Sequence, residues 1–192
     1  MSSGKGKKLV YVSESLLDEA AKVSRDEDVS LGKLVETCLA QAVKINKLGY
    51  KSEQMAEFFN VLESNRVLGG LFVPSGVLDF MISKCNQKDV EQLRSLWSES
   101  GQWTGKYLAE KFTDPVDTFK HFLELSRWDI NEVDVTRDAL GSVKIRFVST
   151  VISLENTVLL SKFVEGVLVG LGYTVENTDA MKGITIVKAK KA

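Results

Sequence analysis

The chain is poor in the residues that most site chemistries require. Two cysteines, Cys38 and Cys85, are too few for a disulfide scaffold or a cysteine-based metal cluster. One histidine, His121, excludes a multi-histidine metal site and leaves imidazole chemistry a single candidate. No apolar run approaches the length a membrane-spanning helix needs. The opening MSSGKGKKLVYV lacks the long apolar stretch of a secretory signal. The net charge of −1 argues against a chain coated in nucleic acid, though not against a local basic patch. No nucleophile–base–acid set stands out, and Gly4-Lys5-Gly6-Lys7 lacks the strand–loop–helix setting of a phosphate-binding loop. The expectation is a cytoplasmic, non-enzymatic protein with no cofactor, no metal and no membrane partner.

What remains is an ordinary globular composition. Of the 192 residues, 44% are hydrophobic and 27% charged, enough for a core in one or two domains. Residues 8 to 13 form a short β-rich run around Val10-Tyr11-Val12. Leu16, Leu17, Ala20, Ala21 and Val23 then recur at helical spacing, and Asp28 stands where that helix should end. Ser30 can cap a second helix carrying Leu31, Leu34, Val35, Cys38, Leu39, Ala42 and Val43 on one stripe. The first 48 residues therefore read strand, helix, turn, helix. Residues 51 to 65 read as a connecting helix, and Gly69-Gly70 and Pro74 as irregular backbone.

Beyond it, helices are expected over 75–84, over 89–112 with an interruption at Gly101, and over 115–127. Strands are expected over 132–136 and 142–150, a long helix over 154–171, and strands over 173–177 and 183–188. Helices followed by an antiparallel sheet crossed by one helix make an α+β pattern. The division expected is 1–48, a connector 49–69, and an α+β domain 70–192. Gly166 and Gly170 share a helix face, which suggests close packing of that helix on the sheet, or room for a ligand. Cys38 reads as a small hydrophobe on its apolar stripe.

The early strand poses a physical problem. Its backbone groups have no nearby partner, because the next strand candidates lie beyond residue 130. Pairing with the same strand of a second chain answers it. Val12-Ser13-Glu14-Ser15-Leu16-Leu17, Lys22-Val23-Ser24-Arg25, Val29-Ser30, Leu34-Val35 and Leu39 together resemble the ribbon-helix-helix DNA-binding family of the Arc, MetJ and CopG type. The resemblance covers about residues 7 to 45. It implies a homodimer whose two-stranded ribbon enters the major groove of double-stranded DNA, with a phosphate gripped at the second helix N-terminus.

On that likeness Val10 and Val12 face inward, and Lys7, Leu9 and Tyr11 face the groove. Ser30, Leu31 and Gly32 hold phosphate, and Lys33 and Lys5 add charge. The chain departs from the pattern in carrying Leu9 and Tyr11 where small or polar readers are usual, Lys8 on the inward side, and Asp28 at a turn position that is often Gly. Other readings stay open: a solvated basic tail, the opposite register with Leu9 and Tyr11 buried, or a dimerisation device without DNA.

In the larger part, Phe163-Val164-Glu165-Gly166-Val167-Leu168 with Gly170 and Gly172, together with the segment from Gly101 to Phe112, resembles the 4-vinyl reductase-like ligand-binding domain. That resemblance implies a sensor scaffold for a small apolar ligand. The aromatic segment Trp97, Trp103, Tyr107, Phe119, Phe122 and Trp128 is either core or the lining of such a pocket. The function expected is a dimeric transcriptional regulator with a ligand-sensing C-terminal part. The alternatives are an antitoxin-like protein-interaction module, and a haem or small-molecule sensor that uses His121.

Overall fold

The computed structural model describes residues 9–138 and 141–192. It is a mixed α+β chain of seven α-helices and one four-stranded antiparallel sheet among the described residues. The chain divides into two compact units after Met55. No helix among the described residues is long and apolar enough to cross a membrane.

The first unit contains α1 (Glu14–Asp26), α2 (Leu31–Lys47) and a 3-10 turn (Ser52–Gln54). Ser30 caps α2 by accepting the Lys33 N–H at 3.2 Å. Asp28 sits at φ 53, the left-handed conformation that lets the chain reverse between the helices. The strand expected over 8–13 is not formed: the secondary structure at this end is helical, and 9–13 carry no ladder. The reason is the one already given: among the described residues of the first unit no other segment is extended, so 9–13 have no partner strand there. Cys38 is exposed rather than packed.

The division falls at the first residue of α3 (Met55–Val67), and the rest of that helix belongs to the second unit, burying Val61 in its core. The expected connector thus supplies part of the C-terminal core. α4 (Ser75–Ser83), α5 (Gln87–Lys111) and α6 (Pro115–Ser126) follow. Then come β1 (Glu132–Arg137), β2 (Val143–Val148), α7 (Leu154–Gly170), β3 (Tyr173–Met181) and β4 (Ile184–Lys191). The sheet order is β1-β2-β4-β3. Alternation puts Val143, Ile145 and Phe147 of β2 and Val187 and Ala189 of β4 on the buried face. Phe119, Leu123, Val164 and Leu168 complete that core from the helices. At the β3–β4 turn Gly183 has φ 73, and its N–H donates to the Thr157 hydroxyl on α7 at 2.9 Å.

α5 runs unbroken through Gly101, and α7 packs its glycines on α5 rather than on the sheet. A Cβ at Gly101 would strike the Phe163 carbonyl, and one at Gly105 would strike the Val167 carbonyl. From the other side, Gly166 faces the Ser98 carbonyl and Gly170 the Gln102 carbonyl. Four glycines at i, i+4 spacing on two helices bring the backbones into contact. Read along one chain a glycine looks like a helix breaker, but here the bare face is what the partner helix requires.

At the sheet's edge Asp114 caps α6, taking the Asp117 N–H at 3.0 Å, and binds Arg137 of β1 through both carboxylate oxygens. The Arg137 hydrogen bonds hold its carboxyl below the usual carboxylate range. Asp114→Ala is expected to cost about 1 kcal/mol, as for other lost caps. Because the native value is depressed, this stabilisation is present above the unfolded carboxylate pKa and is lost as pH falls through the native one. Denaturation of wild type and variant from neutral pH downward should show their difference closing in acid.

Candidate functional site

The N-terminal unit is unusual in what it leaves uncovered. Among its described residues only Ser24 is buried. Leu16, Leu17 and Val23 of α1 and Leu39 and Val43 of α2 are exposed, although each helix carries its apolar residues on one stripe. Leu9, Val10, Tyr11 and Val12 are exposed as well, Tyr11 at 91%. A two-helix unit with no apolar core of its own cannot offset the entropy of ordering its chain.

At the start of α2 the surroundings of Gly32 are open, Leu31 is half-buried and Lys33 exposed, while the Lys33 N–H is taken by the Ser30 hydroxyl. No acidic residue occupies that turn. The partial positive charge of the helix end is therefore available to an anion. Ser30, Leu31, Gly32 and Lys33 are brought together there, and Leu9 and Tyr11 lie at the exposed N-terminal segment. Lys5 and Lys7 lie outside the described residues.

The second unit holds a half-open cleft of about 180 Å³. Trp97, Ser100 and Thr104 line it from α5, Phe122 and Ser126 from α6, and Leu160 and Phe163 from α7. The segment after α3 forms its rim through Leu68, Gly70, Leu71 and Phe72. At one end Arg127 is clamped on Asp129 by two hydrogen bonds of 2.9 and 2.8 Å. Burial pushes the Asp129 carboxyl up, but the Arg127 hydrogen bonds pull it further down, so the net displacement is downward. Arg127 lines the cleft with its charge balanced by Asp129 outside the lining. The wall is mostly apolar, with the hydroxyls of Ser100, Thr104 and Ser126 on it. Wholly buried on α7, one turn before Leu160, the Asn156 carboxamide has no partner among the described residues.

Of the six aromatic residues expected to line a pocket, Trp97 and Phe122 do. Phe119 is wholly buried behind them, against Phe122 and Phe163. Tyr107 packs on the core edge and its hydroxyl accepts from Lys111 at 2.8 Å. Trp103 is exposed, with the Lys106 ammonium 5.1 Å from its ring. Trp128 is exposed and stacks on Phe72 at 5.5 Å. Trp103 lies on the solvent side of α5, and Trp128 lies in the turn after α6. Sequence reasoning missed Leu160, Phe163 and the rim, although Gly69-Gly70 and the α7 periodicity marked both places.

His121 stands on α6 with Nδ1 3.9 Å from both a Glu57 and an Asp117 carboxylate oxygen, too far for hydrogen bonds. It does not line the cleft. No group of three His, Cys, Asp or Glu suited to a metal ion occurs among the described residues. Cys85 is half-buried and its thiol points to the Met81 carbonyl at 3.5 Å.

Compared with known protein families, with curated proteins and with solved structures, the chain matches none of them.

Proposed function

We propose that this chain is a homodimeric regulator that binds double-stranded DNA through its first 48 residues and a compact apolar ligand through the 56–192 unit. One observation carries the reading: the N-terminal unit leaves Leu16, Leu17 and Val23 of α1, Leu39 and Val43 of α2 and the whole of 9–12 exposed. A second copy of the same unit is the simplest cover, because it supplies a helix stripe of the same kind and a strand for 9–12 to pair with. The ribbon thus forms between chains, and Tyr11 and Leu9 lie on its outer side. Ser30, Leu31 and Gly32 present N–H groups to a phosphate, with Lys33 beside them. The cleft supports the ligand half of the reading through its apolar wall and its few hydroxyls.

The test is binding of the full chain to a genomic DNA library, followed by titration of the selected sequence at several salt concentrations. Lys33→Ala is expected to weaken binding to all sequences and to flatten the salt slope by about one per phosphate contact removed. Tyr11→Ala is expected to change which sequence is preferred. A folded dimer that selects no sequence, and whose weak DNA binding ignores Lys33, sinks the DNA reading. The N-terminal unit would then be a dimerisation device, the second reading that its uncovered apolar stripes favour.

A further inference from the structure

We propose that α4 and the segment leading into it form a second interface between two copies of this chain. The choice of partner rests on the homodimer reading above; the existence of the interface rests on the surface itself.

α4 is apolar on more than one side. Ile82 is buried and Leu78 half-buried, while Val77, Phe80 and Met81 face solvent at i, i+3 and i+4. A helix that is hydrophobic all round belongs between two partners, and the single chain supplies one of them, α7. Before the helix, Leu71, Phe72 and Val73 are also exposed, Leu71 at 88%. These six side chains offer on the order of 600 Å² of apolar area, more than isolated surface residues need and close to one side of a stable interface. Trp128, stacked on Phe72, extends the surface.

The charge pattern favours a second copy as the occupant. Asp79 is the only charged residue of α4, and its carboxylate is turned inward, accepting the hydroxyl of Ser153 at 2.9 Å where that residue caps α7. In a two-fold interface the same patch faces itself, so a patch carrying charge of one sign repels its copy and a patch without outward charge does not. Lys84 lies just past the helix, 5.1 Å over the Phe80 ring, in the position of a polar rim.

Sedimentation of the full-length chain and its variants tests this. The wild type is expected to be a dimer. Val10→Pro removes N-terminal pairing and is expected to remain a dimer, held through α4. Val10→Pro combined with Phe80→Asp is expected to be a monomer with an unchanged circular dichroism spectrum; Met81→Lys replaces Phe80→Asp if that variant fails to fold. A monomer for Val10→Pro alone overturns the α4 interface and leaves the N-terminal dimer standing. A dimer for the double variant also overturns it. A monomer for Phe80→Asp alone keeps the α4 interface and removes the N-terminal one. A monomeric wild type, as expected if another protein or a lipid surface covers the patch, overturns both. As an independent readout, a chain with Cys38→Ser, Cys85→Ser and Phe80→Cys should cross-link to a second copy with a short bismaleimide; failure to do so overturns the interface.

Discussion

Gly166→Ala is expected to destabilise the 56–192 unit by several kcal/mol, at the top of the range for a single methyl group. Propensity alone points the other way, because alanine is the better helix former by about 1 kcal/mol. Packing decides the sign. The new Cβ would fall against the Ser98 carbonyl, within 2.9 Å of the carbonyl carbon and 3.1 Å of the Gln102 amide nitrogen. Those atoms belong to a helix backbone and cannot swing aside as a side chain would. The helices must separate, and separation also strips contacts from Leu108, Val164 and Val167, all fully buried nearby. Gly105→Ala should behave alike, since its Cβ would meet the Gly170 Cα at 2.9 Å. By contrast Gly32→Ala and Gly76→Ala, with nothing within 4 Å, should be neutral or mildly stabilising. Urea denaturation of the four variants checks the pattern. A Gly166→Ala chain as stable as wild type would show that α5 and α7 do not touch at this crossing.

The second large effect concerns DNA. Val10→Pro should reduce affinity for the selected site by roughly 1,000-fold, to the level of non-specific binding. Proline has no N–H to give to a ladder, so the ribbon loses a hydrogen bond in each of its two strands. Val10 is exposed in the single chain, so the substitution disturbs nothing inside it. The main thermal transition, which reports the core of residues 56–192, should stay where it is. Fluorescence anisotropy with labelled duplex, read beside that transition, separates the two. Full affinity in Val10→Pro would mean that residues 8–13 take no part in DNA contact.

The element order was legible because most helices here advertise themselves through one apolar stripe and a cap. Ser30, Asp114 and Ser153 each sit one residue before a helix and each accepts a first-turn N–H. The sheet was legible through alternation, as in Val143, Ile145 and Phe147. What could not be read from the sequence depended on contacts far along the chain. Gly101 looks like a break until Phe163, 62 residues later, is set against it. Residues 51–65 read as a connecting helix until Val61 is found in the core with Phe119 and Phe147. The cleft was half visible: aromatic density pointed to α5 and α6, but no local signal joins them to Leu160 and Phe163. The strand expected over 8–13 marks the limit of one chain, for a ladder needs two edges and residues 9–13 carry none.

The placing of α7 also governs when this protein can become itself. A ribosome delivers α5, α6 and the β1–β2 hairpin before it delivers the helix that α5 clasps and the strand, β4, that β2 pairs with. Until residue 170 has emerged, the glycine face of α5 has nothing to close on, and Phe147 and Ile145 have no lid. The nascent chain must therefore carry its apolar surface uncovered through most of its synthesis, and then consolidate late, around one helix. A stalled or truncated product ending before residue 154 should be a target for chaperones and proteases rather than a stable fragment.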